Sequence, residues 1–269
     1  MSSVQPRGAA AFSGVVLRMR GSSRSKSLSN RSFEARSNGT RSPERAWRRA
    51  QAISGLLFLV FALLHIVNTM LAAHSAEAYD GFQRALRPIY QHPAVELGLI
   101  IGPLLVHVAA ALRRIRLDGM RGRGGNLRAR LHRITGYFLL LVIFGHIAAV
   151  RGPSVFGDIF LEFGGVSFSF WILPYYFYPY YTALVVAALY HGVNGALLAS
   201  ARLRVSVPGF LRAGPGFWVP LGAAALIAVL GLLGLGGQRY PIPDPSDNAY
   251  AQMWQEFGIY EWLGRPSSP

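Results

Sequence analysis

The sequence predicts an all-α integral membrane bundle of five transmembrane helices, with its N-terminus cytoplasmic and its C-terminus outside. Three observations predict this. The first is apolarity: 52% of the 269 residues are hydrophobic, 14% are charged, and mean hydropathy is +0.30. A soluble chain of this length needs far more charge to cover its surface. The second is clustering, because the apolar residues gather near Ala50–Ala72, Val95–Leu112, Ile134–Val150, Trp171–Ala199 and Trp218–Leu235. Each stretch approaches the roughly 20 residues that cross a hydrocarbon core. In that medium the main chain must bond to itself, which makes each stretch a helix. The third is charge asymmetry. All but five of the 27 Lys and Arg residues lie in the tail before Ala50, the Arg113–Arg133 loop or the Arg202–Arg212 loop. The positive-inside rule places these three segments in the cytoplasm. Arg84, Arg87, Arg151, Arg239 and Arg265 remain on the opposite side, with most of the acids.

Along the chain, residues 1–41 are rich in Arg, Ser and Gly and read as a disordered basic tail, a composition that also fits a transit peptide. Ser42-Pro43-Glu44 reads as a helix start, with Ser as N-cap and Pro in the first turn. It opens a membrane domain over 42–237. The outer segment His74–Pro93 is expected to carry a short interfacial helix around Asp80–Leu86. The fourth stretch is long enough to tilt or to begin in the interface. Its leading run, Phe168–Tyr181, suits an interfacial aromatic belt. Residues 238–269 form an outer tail, extended at first, with a short amphipathic helix expected over Ala249–Trp262.

Cysteine is absent, which excludes disulfides, thiolate metal sites, iron–sulfur clusters and covalent haem attachment within this chain. A pI near 11.0 would by itself suggest nucleic acid. Here the basic residues flank membrane spans, so no nucleic acid is expected; anionic lipid head groups and an acidic protein partner are the expected counterparts.

An ionisable residue inside a span is costly and marks function. Of seven histidines, His65, His107, His146 and His191 lie within spans, one on each of the first four. At 1.5 Å per residue, His65 and His146 lie roughly 20–24 Å beyond Arg49 and Arg133, in the outer half. His107 and His191 lie roughly 9–17 Å from Arg113 and Arg202, nearer the inside. A single histidine on an apolar helix is usually a hydrogen-bonded packing residue. Four of them in two layers of two match the axial ligands of two six-coordinate haem irons. The chain also echoes itself: Ile53-Ser54-Gly55 and Ile134-Thr135-Gly136 each precede a histidine by the same ten-residue step from Gly. Gly55, Gly136, Gly192 and Gly195 would let a porphyrin face approach the main chain, although small residues also serve plain helix packing. His74, His92 and His132 fall at the interface or in loops and are left out of the ligand set.

Four segments carry a family resemblance: Ser-Gly-Leu-Leu-Phe-Leu-Val-Phe-Ala-Leu-Leu-His65, His107-Val-Ala-Ala-Ala-Leu-Arg, Ile-Thr-Gly-Tyr-Phe-Leu-Leu-Leu-Val-Ile-Phe-Gly-His146 and Tyr-His191-Gly-Val-Asn-Gly. From about Arg45 to Gly237 the chain resembles the single-chain, two-haem cytochrome b anchor of succinate:quinone oxidoreductases, the succinate dehydrogenases and fumarate reductases. The likeness lies in the arrangement of spans and histidines more than in residue-by-residue identity. It implies an inner haem b between His107 and His191 and an outer haem b between His65 and His146. It also implies a flavoprotein (FAD) subunit and an iron–sulfur subunit on the cytoplasmic face, docked on the basic loops, and a membrane quinone, menaquinone, as electron partner. The expected location is the cell inner (cytoplasmic) membrane, and a higher oligomer of the complex stays open. Arg113, Arg114 and Arg133 inside, and Arg84, Arg87 and Arg151 outside, are candidates to hold haem propionates. A quinone site near the outer haem has Glu96 as its first candidate carboxylate, with Glu77 and Asp80 nearby in sequence. Fumarate-reducing relatives can carry a glutamate two residues before the fourth-span ligand; this chain has Leu189 there, so that proton route is not expected. Two other readings remain open: an anchor for a different quinone-linked dehydrogenase, and a haem-free transporter or scaffold.

Overall fold

The computed structural model describes residues 23–121 and 125–264, with side chains from Pro43 onward. The chain divides into two units, Met1–Arg45 and Ala46–Pro269. Among the described residues every regular element is helical. Five helices are long and apolar enough to cross a membrane. They are α1 (Ser23–Leu71, apolar from Pro43), α3 (Pro93–Asp118), α4 (Leu127–Phe156), α6 (Pro174–Leu203) and α8 (Pro215–Leu235). Between them lie α2 (Ala76–Tyr90), α5 (Phe163–Ile172) and the single turn α7 (Gly209–Arg212); α9 (Ala249–Glu256) and α10 (Ile259–Trp262) follow. This is a multi-pass membrane protein.

Three boundaries differ from the sequence expectation, each for a local reason. Helix α1 is already helical at Ser23 and runs through Pro43 instead of starting there. Low hydropathy before residue 42 reports that little can be buried, whereas Arg24, Lys26, Leu28, Glu34 and Ala35 are good helix formers. The expected tail over residues 1–22 lies outside the described residues. The fourth apolar stretch, Trp171–Ala199, is broken near its start: Trp171 and Ile172 end α5, and the span α6 begins at Pro174. Leu173, which precedes Pro174, takes φ −139° and ψ 66°, since a residue before proline is pushed out of the α region. At the C-terminus Gly258, with φ +66°, divides the expected helix into α9 and α10.

The end of the bundle that carries α2, α5, α9 and α10 is tied together by polar and aromatic contacts. Ser75 caps α2 by accepting from the Ala78 N–H. Gln83 donates to the Leu161 carbonyl, and the Phe163 N–H donates to Asp80 at 2.7 Å. Burial raises the Asp80 carboxyl above its ordinary value, and the Phe163 N–H offsets part of that. Phe168, wholly buried, meets Tyr250, Trp254 and Tyr260, so α9 and α10 cap α5. Within the bundle α4 runs along α6 and α6 along α8. Helix α8 closes onto the C-terminal end of α1 where Gly231 and Gly234 face the carbonyls of Thr69 and Ala72. Only small residues allow that backbone approach.

Candidate functional site

The four span histidines meet in two pairs. His65 of α1 and His146 of α4 have ring centroids 6.0 Å apart, with planes at 62°. His107 of α3 and His191 of α6 have centroids 6.2 Å apart, with planes at 86°. With metal–imidazole bonds of about 2.0–2.1 Å, two imidazoles on opposite sides of one ion have centroids roughly 6 Å apart. Both pairs fit that spacing, and rotation about the bond axis accommodates either plane angle. None of the four rings is packed away: His65 is exposed and the other three are half-buried.

The inner pair is anchored by main chain. Nδ1 of His107 lies 3.0 Å from the Gln51 carbonyl oxygen, and Nδ1 of His191 lies 3.1 Å from that of His132. A carbonyl only accepts, so each Nδ1 carries the proton and donates, and each Nε2 keeps its lone pair for a ligand. The acceptors sit four residues before Gly55 and Gly136. Those glycines face the same rings: a Cβ at Gly55 would lie 2.8 Å from Nδ1 of His107, and one at Gly136 2.8 Å from Cε1 of His191. The nearest side chains to both glycines are therefore the imidazoles. Gly192 faces Leu59, and Gly195 faces the His132 ring.

The outer pair is surrounded differently. Phe61 stacks on His65 at 6.0 Å, and Tyr90 meets the edge of Phe61 at 5.7 Å. Tyr181 meets His146 edge-on at 6.3 Å. Asn68 is buried, and its Oδ1 has no hydrogen-bond partner among the described residues.

No family model matches the chain, and neither a curated protein nor a solved structure matches it.

The other expected residues are distributed as follows. Arg113 lies over the Trp47 ring, Arg114 donates to Oε1 of Gln51 at 3.3 Å, and Arg133 lies beside Gly125. Arg114 is thus tied to the residue whose carbonyl anchors His107. At the opposite end of the bundle, Arg84 and Arg87 both pair with Glu162 at 3.4 Å. Glu96 opens a π-helical turn, Glu96–Ile101, at the head of α3. Arg151 grips it in a bidentate pair, Nε donating to Oε1 at 2.6 Å and Nη2 to Oε2 at 2.9 Å, while Nη1 donates to Ser154. Two of the expected candidates, Glu96 and Arg151, are therefore partners of each other, in a turn type that often marks functional sites. Glu77 and Asp80 serve α2: Glu77 is exposed, its carboxyl held below the ordinary value by its own N–H and by Ser75. Leu189 is buried and apolar.

Sequence reasoning missed Gln51 and His132. His132 stacks on His191 with centroids 4.0 Å apart and planes at 8°. Its position four residues before Gly136, like that of Gln51 before Gly55, was the available signal. Separately, a groove of about 370 Å³ between α1, α6 and α8 is lined by apolar residues such as Leu59, Leu63, Leu189 and Phe217. It includes none of the four histidines.

Proposed function

We propose that this chain is the dihaem cytochrome b anchor of a succinate:quinone oxidoreductase in the cytoplasmic membrane. One observation carries the reading: two imidazole pairs, contributed by four different helices, each spaced for a single iron. His107 and His191 hold the inner haem b; His65 and His146 hold the outer one. Bound haem supplies one-electron carriage, and the protein supplies ligation, position and dielectric. The main-chain acceptors on His107 and His191 fix which ring nitrogen binds and raise its basicity. The flavoprotein and iron–sulfur subunits dock against the basic inner loops by charge complementarity. A quinone, menaquinone, reacts at the outer end, where the Glu96–Arg151 pair and Tyr90 supply polar partners.

The test is a reduced-minus-oxidised spectrum with a haem-to-chain ratio on the full-length protein. Two haems b per chain, in a complex that reduces quinone with succinate or oxidises quinol with fumarate, is the expected result. A colourless protein would favour the transporter or scaffold reading. A dihaem protein that co-purifies with a different dehydrogenase would keep the cytochrome and reject the succinate assignment.

A further inference from the structure

We propose that Gly55 and Gly136 are positioning residues for the inner imidazole pair. Each leaves open the main-chain carbonyl four residues earlier, so that it accepts the Nδ1–H of a histidine on the neighbouring helix and aims Nε2 into the inner layer. The inference rests on reading the two layers as haem sites, and it gives the helices that carry the outer ligands a second task at the inner layer.

A helical carbonyl at position i bonds to the N–H at i+4 with one lone pair and keeps a second. The side chain at i+4 normally shields that second lone pair. Glycine removes the shield. On α1 the carbonyl is that of Gln51, the glycine is Gly55, and His107 of α3 is the ring that approaches. On α4 the carbonyl is that of His132, the glycine is Gly136, and His191 of α6 approaches. The two units repeat the same spacing, and each is followed ten residues later by an outer ligand, His65 or His146. The device thus occurs twice, on two helices, with donor distances of 3.0 and 3.1 Å.

Sterics couple to the hydrogen bond. A Cβ at Gly55 would lie 2.8 Å from Nδ1 and 2.9 Å from Cε1 of His107. At Gly136 it would lie 2.8 Å from Cε1 and 3.2 Å from Nδ1 of His191. The ring must retreat from either methyl group, and retreat breaks the bond that orients it. The outer pair has no such anchor: among the described residues no hydrogen bond reaches a ring nitrogen of His65 or His146. Gly145, next to His146 in sequence, has nothing within 4 Å of its Cβ position, so it serves as the control.

The experiment compares wild type with Gly55→Ala, Gly136→Ala, Gly145→Ala, Gln51→Ala and His132→Phe in the full-length chain. It reads the haem-to-chain ratio, the ferric low-spin resonances and the midpoint potentials. The inner signal is the one that His107→Ala or His191→Ala removes. Gly55→Ala and Gly136→Ala should each remove that signal or raise its potential, because losing the carbonyl acceptor weakens imidazole basicity. The outer signal should stay, and Gly145→Ala should match wild type. Gln51→Ala and His132→Phe keep the main-chain carbonyl and should keep the inner haem. The proposal is overturned if the two glycine variants match Gly145→Ala, if they disturb the outer signal instead, or if the two side-chain variants strip the inner haem equally. A colourless wild type would sink the haem reading, and this inference with it.

Discussion

The two histidine layers, proposed as inner and outer, pair the same side chain at nearly the same spacing, 6.2 and 6.0 Å between centroids, yet they are held in different ways. The inner rings are tied to carbonyl oxygens of neighbouring helices, with Arg114 bonded to the residue that supplies one of them. The outer rings are held by aromatic contact, Phe61 on His65 and Tyr181 on His146. The difference teaches that ligand identity and ligand orientation have separate sources. A main-chain anchor tolerates almost any side chain at the acceptor but demands glycine beside it. An aromatic anchor depends on the side chain itself and leaves the ring nitrogens free of directional bonds.

The strongest way to break this comparison is to remove one ligand at a time. On the proposed dihaem reading, His191→Ala should take away one of two haems and leave the outer spectrum unchanged, and His146→Ala should do the reverse. Loss of both haems on a single substitution would mean that the layers are not independent. Next in size is Arg151→Ala, which leaves the Glu96 carboxylate at the head of α3 without its bidentate partner. Both side chains are partly exposed, at 28% and 21%, so about 1–3 kcal/mol is expected, well short of a fully buried pair. Thermal unfolding in detergent should register it as a lower Tm, with the inner spectrum unaltered; an unchanged Tm would make the pair electrostatically idle. Phe61→Ala should shift the outer haem signal through lost ring contact and leave the inner one in place. An inner shift of equal size would show that the layers communicate through packing. The smallest effect is expected for His132→Phe, which preserves both the stacked ring and the main-chain acceptor. Its inner haem should remain at full occupancy in a haem-to-chain assay.

Much of the fold was legible because a bilayer imposes one-dimensional constraints: apolar length marks each span, and an unusual polar residue stands out against it. The breaks at Leu173 and Gly258 were also written in local chemistry, a residue before proline and a glycine at positive φ, but a continuous apolar run hid the first and a continuing amphipathic pattern the second. The Glu96–Arg151 pair was harder, because its members are 55 positions apart and their pairing depends on how α3 and α4 lie side by side. His132 was passed over because distance from the span centre says nothing about which way a ring turns.

The sequence by itself determined a helical architecture with five membrane-length spans and a histidine well inside each of the first four, since helix period and hydrocarbon thickness are properties of the segment alone. Only the tertiary structure decided which atom each inner histidine would bond, and which glycine made room for it. Those contacts cross from one helix to another, so they follow from helix rotation and packing distance, quantities that no single segment encodes.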